Sequence, residues 1–150
     1  MKAVDFTLRD QDNSSHTLSD YRGKWAIVYF YPKDDTPGCT EEACDFRDSF
    51  HTLQAKDVVI LGISADSVES HKKFAQKYHL NFPLLSDETL QTIHSYNAWG
   101  EKTVLGKTYD GILRKTYLIN PEGSIAKAYE KVNPLTHAGE ILKDLALLQK

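Results

Sequence analysis

Several features that would class a chain at a glance are missing. Two cysteines in 150 residues are too few for a disulfide scaffold. No apolar run approaches the ~18 residues of a membrane-spanning helix. The opening MKAVDFTLRD carries charge where a signal peptide has its apolar segment. Neither sign of charge dominates, with 18 Lys and Arg against 21 Asp and Glu and a net charge of -3; this argues against nucleic acid or an anionic membrane as partner. Internal repeats, low-complexity tracts and Gly/Ser linkers are missing too, so residues 1–150 read as one domain. What is present is a globular composition, 41% hydrophobic with eight Tyr, six Phe and two Trp. A chain of this length buries roughly 68–70% of its unfolded surface and needs neither metal nor cross-link to hold a core. Composition thus predicts a cytosolic single domain and is silent on its chemistry.

Hydrophobic patterning supplies the architecture. Trp25 to Tyr31 (WAIVYFY) is a continuous β-branched and aromatic run, as is Val58 to Ile63 (VVILGI), and such runs suit central strands buried on both faces. Between them a helical stretch is predicted from Pro37 to Lys56. Asp66-x-x-Glu69 resembles a capping box opening a helix through Tyr78. Phe82 to Leu85 reads as a short strand, Thr89 to Tyr96 as a short helix and 97–113 as a polar, glycine-bearing loop. Arg114 to Ile119 and Ser124 to Tyr129 flank Asn120-Pro121-Glu122-Gly123 as a β-hairpin. A last helix from His137 to Leu148 carries Ile141, Leu142, Leu145 and Leu148 at helical spacing. The order implies an α/β class with a mixed central sheet flanked by helices, which a thioredoxin-like fold fits.

The two cysteines differ in placement. Thr36 is a good N-cap and Pro37 an apt first helical residue, so Cys39 falls in the first turn of the helix. Unpaired N–H groups and the positive end of the macrodipole favour a thiolate there, marking Cys39 as the reactive thiol. Ala43, Phe46, Phe50 and Leu53 form an apolar stripe onto which Cys39 projects. Cys44 lies ~140° around the helix, among Glu41, Asp45 and Asp48, whose charges oppose its ionisation while Arg47 partly offsets them. Five residues of helix separate the two Cα atoms by ~8.6 Å, beyond the ~7 Å limit for a disulfide. A Cys39–Cys44 bond therefore requires the first turns to unwind. The six histidines show no zinc-ligand spacing, and C-x-x-C is absent.

Pro32-x-x-x-Thr36-x-x-Cys39 resembles the P-x-x-x-T-x-x-C signature of peroxiredoxins, and YPKDDTPGCTEEAC resembles the bacterioferritin comigratory protein, or peroxiredoxin Q, subgroup. The likeness continues through DFTLRD, LSDYRGKW, FRD, FPLLSD, WGEK and R-x-T-Y-L-I. It implies a thioredoxin fold and thiol-dependent reduction of hydrogen peroxide or organic hydroperoxides with no cofactor or metal. By the same resemblance Cys39 is the peroxidatic nucleophile, Cys44 the resolving thiol that closes an intramolecular disulfide, and a thioredoxin-type dithiol the reductant. Thr36 would bond the thiolate or peroxide as well as cap the helix, and Pro32 would shape the pocket wall as well as end the strand. Arg114 would polarise the peroxide. Glu42 either orients that arginine or is a solvated first-turn acid. Resolution within one chain leans toward a monomer. Val4 stands where family members often have proline, and Tyr129 where tryptophan is expected; neither touches the proposed chemistry. Two other functions stay open at this point: a dithiol oxidoreductase, which would want C-x-x-C, and a redox-sensing binding protein whose unwinding exposes a surface.

Overall fold

A computed structural model describes residues 1–149. Strands β1 (Thr7–Arg9) and β2 (Ser15–Thr17) lead through a short 3-10 turn (Leu18–Tyr21) to β3 (Trp25–Phe30). Helices α1 (Pro37–Asp48) and α2 (Phe50–Ala55) precede β4 (Val58–Ser64), and α3 (Val68–Tyr78) precedes β5 (Leu84–Ser86). After α4 (Gln91–Ser95) come β6 (Trp99–Val104), β7 (Lys107–Ile112), β8 (Lys115–Ile119), β9 (Ile125–Tyr129) and α5 (His137–Leu148). A seven-stranded sheet runs β2-β1-β5-β4-β3-β8-β9, while β6 and β7 form a separate ribbon. Strand β4 pairs in parallel with both β3 and β5, and the remaining pairs of the sheet are antiparallel. This is the mixed α/β sheet of the thioredoxin fold. No helix among the described residues is long and apolar enough to cross a membrane.

Strand β3 is a continuous apolar run because both of its faces are covered. Ile27, Tyr29 and the following Tyr31 join Cys39, Ala43, Phe46, Phe74 and Ile141 on one side. Ala26, Val28 and Phe30 join Phe6, Leu61, Ile93 and Tyr96 on the other. Helices α1, α3 and α5 thus cover the first face and α4 the second. Gly62 of β4 sits opposite Tyr29, and a Cβ there would approach the Tyr29 ring and hydroxyl to 2.8–2.9 Å. Glycine is what lets that ring lie across the neighbouring strand, under α1.

The structure corrects several expectations. The helix predicted over 37–56 breaks at Ser49, whose ψ of 2° ends α1 before α2 begins, so the apolar stripe is shared between two helices. The cap of α3 is Ser67, whose hydroxyl accepts from the Ser70 N–H. Asp66 instead accepts from the Asp34 N–H and the Ser64 hydroxyl. Residues 97–113, read as a loop, hold the β6–β7 hairpin, turned by left-handed Leu105 (φ 52°) and Gly106 (φ 78°). Residues 107–110 of β7 are all exposed, and an exposed ribbon lacks the apolar alternation that marks a half-buried strand. Strands β1 and β2 are three residues each and carry too little pattern to detect. Lys150, in the predicted single domain, lies outside the described residues.

Candidate active site

Helix α1 buries Cys39, Glu42, Ala43 and Phe46, the i, i+3, i+4, i+7 set of one helical face. A carboxylate on that face has to find a partner, and Glu42, with no exposed surface, finds Arg114. The arginine lies between β7 and β8 and divides its guanidinium between two groups of α1. One nitrogen donates to Glu42 Oε1 at 2.6 Å and the other to Cys39 Sγ at 3.2 Å. Gly38 makes room for it, since a Cβ there would stand 3.2 Å from the same Arg114 nitrogen. Cys39 itself is only 2% exposed. Thiol, cation and orienting carboxylate are therefore assembled by the contact of one helix with one strand end.

The electrostatics follow from burial. Desolvation pushes the Glu42 carboxyl up from 4.5 to about 7 even though Arg114 opposes the shift. Burial works against the Arg114 charge, but attraction to Glu42 and to Cys39 outweighs it, and its ionisation is raised. Glu42 Oε2 and the Tyr29 hydroxyl are buried without a hydrogen-bond partner among the described residues. Burial, then the Glu42 and Cys39 charges, push the Tyr29 phenol far up, so it stays neutral. The Cys44 thiol is half-buried, and burial raises its pKa above the usual thiol value, with Arg47 pulling it down and Asp48 adding to the rise, so the thiolate is disfavoured. Both cysteines are free and lie in the unbroken helix.

The raised Glu42 carboxyl makes a prediction. A carboxyl that holds its proton more tightly when folded stabilises the fold fully below its unfolded value, and loses that contribution as pH rises through the folded value. For Glu42 the window runs from 4.5 to about 7. Glu42→Gln removes this slope, so its melting temperature minus that of the parent should climb between about pH 5 and pH 7.5 and level off above. A flat difference across that range would show that Glu42 does not titrate there.

Thr36 and Pro32 stand in the segment that joins β3 to α1. Thr36 occupies the N-cap position in extended backbone, but its side chain caps nothing and its hydroxyl donates to the Lys33 carbonyl at 2.8 Å. Pro32, half-buried, follows the end of β3 at Phe30. Between them Asp34 anchors the loop: it accepts from the Tyr31 hydroxyl at 2.6 Å and the Ser70 hydroxyl at 2.8 Å, and pairs with His71 Nδ1 at 2.7 Å. The second His71 nitrogen meets the Leu85 carbonyl at 3.0 Å. Asp34, Asp66 and His71 are the one group among the described residues with metal-ligating atoms clustered within 4.8 Å. Their donors and acceptors are already turned on one another and on the backbone. At the other end of α1, Asp45 accepts from the Ala138 N–H at the start of α5, and Arg47 donates to the Tyr78 carbonyl. Residue types gave no hint of either anchor, because both depend on chain segments far away in sequence.

Comparison with known proteins identifies the family. The AhpC/TSA family pattern matches residues 1–128. Peroxiredoxin Bcp of Bacillus subtilis is 46% identical over 144 residues, 96% of this chain and 92% of that protein. Peroxiredoxin Bcp of Escherichia coli is 44% identical over 140 residues, covering 93% and 90%. Among solved structures, a peroxiredoxin Q of Xanthomonas campestris superposes with a TM-score of 0.91 at 38% identity, covering 97% of this chain and 92% of that one. With relatives this similar over nearly their whole length, the chain belongs to the AhpC/TSA family and is a peroxiredoxin, a thiol-dependent peroxidase.

Proposed function

We propose that this peroxidase works through Cys39 as nucleophile and Cys44 as the resolving thiol of the same chain. The observation that carries the proposal is the Arg114 guanidinium, 3.2 Å from Cys39 Sγ and held there by buried Glu42. The Cys39 thiolate attacks one peroxide oxygen, and the O–O bond breaks. The departing oxygen takes up a proton and leaves as water or alcohol, and Cys39 becomes a sulfenic acid. Arg114 stabilises the negative charge as it passes from sulfur to the leaving oxygen, the Thr36 hydroxyl retains acceptor capacity toward the peroxide, and Pro32 bounds the pocket. Cys44 sulfur then attacks the sulfenic sulfur and expels its hydroxyl as water, giving the Cys39–Cys44 disulfide. A thioredoxin-type dithiol supplies two electrons and two protons to restore both thiols. The chain needs no cofactor, and resolution inside one domain of 150 residues requires no second subunit.

Both cysteines face away from each other in α1, so the second step needs the first turns of that helix to open. Mass spectrometry of peroxide-treated protein should recover a Cys39–Cys44 linked peptide, and helical circular dichroism should fall on oxidation. Cys44→Ser should consume one equivalent of peroxide and stop as sulfenic acid, or oxidise further. Normal thioredoxin-driven cycling by that variant would assign resolution to something other than Cys44.

A further inference from the structure

Lys102 on β6 has no part in the steps above. It pairs with Tyr109 across the ribbon and is half-buried. Its Nζ donates to the Ile112 carbonyl at 2.9 Å. The charges acting on it are those of Arg114 and Cys39, not of a carboxylate: burial and Arg114 push its ionisation down, and Cys39 pulls it back up.

The path of this side chain is built into the ribbon. Paired residues of an antiparallel ladder share a face, and Gly100 pairs with Gly111 beside the Lys102–Tyr109 pair. Two facing glycines leave a trough at the base of the hairpin. A Cβ on Gly111 would come within 3.3 Å of Lys102 Cδ, and one on Gly100 within 3.1 Å of a Leu113 methyl. The lysine stem and the Tyr109 ring, each 3.3 Å from the Gly111 position, therefore fill one half of the trough and Leu113 the other. The Leu113 N–H also donates to the Ala98 carbonyl at 2.7 Å. Ile112 is gripped by Lys102 and Leu113 by the ribbon base, so the two residues before Arg114 are fixed. The ammonium is held on the Ile112 carbonyl, two residues before the arginine whose guanidinium reaches Cys39, and Cys39 is the negative charge that favours its ionised form.

We propose that Lys102 is a positioning residue for peroxide reduction: it holds the 112–114 segment so that Arg114 reaches Cys39, and it adds a second positive charge on the side of that sulfur. The proposal rests on Cys39 being the nucleophile. The ionisable groups that interact with Cys39 are Arg114, Tyr29 and Lys102, with Glu42 paired to Arg114, and those that interact with Lys102 are Arg114 and Cys39, with the Tyr109 ring packed beside its stem.

Lys102→Gln keeps a hydrogen-bond donor and removes the charge, whereas Lys102→Arg keeps both. The two variants and the parent chain are compared by their rate of hydrogen peroxide reduction and by the pH profile of iodoacetamide alkylation, mapped to Cys39 by mass spectrometry. The Gln variant should be slower by about tenfold near neutral pH in both measurements, with its alkylation profile displaced to higher pH. The Arg variant should return to within about threefold of the parent on both. A Gln variant with the parental alkylation profile overturns the proposal whatever its turnover, as does an Arg variant no better than Gln. If parental Cys39 alkylates no faster than Cys44 and Cys39→Ser retains turnover, it is the assignment of the nucleophile that fails, and this proposal falls with it.

Discussion

Cys39→Ser should remove peroxide turnover, with a loss of more than roughly a thousandfold in a thioredoxin-coupled assay. A serine hydroxyl ionises far above neutral pH, and the Arg114 nitrogen at 3.2 Å cannot make an alkoxide of it. Oxygen is also a poorer nucleophile toward peroxide than a polarisable thiolate. The exchange is nearly isosteric at a position 2% exposed, inside a cluster of Ala43, Phe46 and Tyr29, so the variant should fold and its loss should be chemical. Circular dichroism close to that of the reduced parent would confirm the fold. Residual turnover above a few per cent of the parent would place the chemistry elsewhere and end the assignment of Cys39.

Arg114→Met should cost the next largest amount, a fall of roughly 10²–10³ in kcat/KM, the range typical when one preorganised donor to a developing anion is removed. The reason lies in the fork: the same guanidinium serves Cys39 and Glu42. Arg114→Lys should recover only part of the loss, because a point charge cannot bridge both partners at their two bearings. Removing the arginine also strips Glu42 of the partner that opposes its upward shift. The carboxyl should then stay protonated at neutral pH, which limits the stability cost of the substitution. The check is kcat/KM for the two variants beside their thermal melts. A Met variant within threefold of the parent would leave Arg114 as an ordinary strand-end residue.

The sequence showed the central strands, the terminal helix and the first-turn placement of Cys39, because each is a local pattern. Apolar periodicity locates a buried strand, and Thr-Pro-Gly locates a helix start. The β6–β7 hairpin stayed hidden because residues 107–110 of its outer strand are exposed and polar, and it meets the core only at its base, through Trp99 and Ile112, too few positions to impose alternation. Glu42 was half-legible: it falls three residues after Cys39 and one before Ala43, on the face that had to be buried. Its partner, 72 residues away, was indicated only by family resemblance. Thr36 shows the converse case. Its residue type and position fit a cap, yet its hydroxyl turns back to Lys33, a choice set by the loop that Asp34 pins and not by propensity.

The packing of α1 has an electrical meaning if Cys39 and Cys44 form the redox pair. Only the reduced chain keeps the first turns of α1 on the core, so their burial stabilises the dithiol and not the disulfide. For a two-electron couple, about 1.4 kcal/mol of such preference moves the midpoint by about 30 mV. Firmer seating of Cys39, Glu42 and Ala43 makes the pair more oxidising, and looser seating makes it harder to reduce. A redox titration in dithiol buffer reads this directly, and the Asp45–Ala138 and Arg47–Tyr78 bonds at the far end of α1 limit how much of the helix can enter the balance.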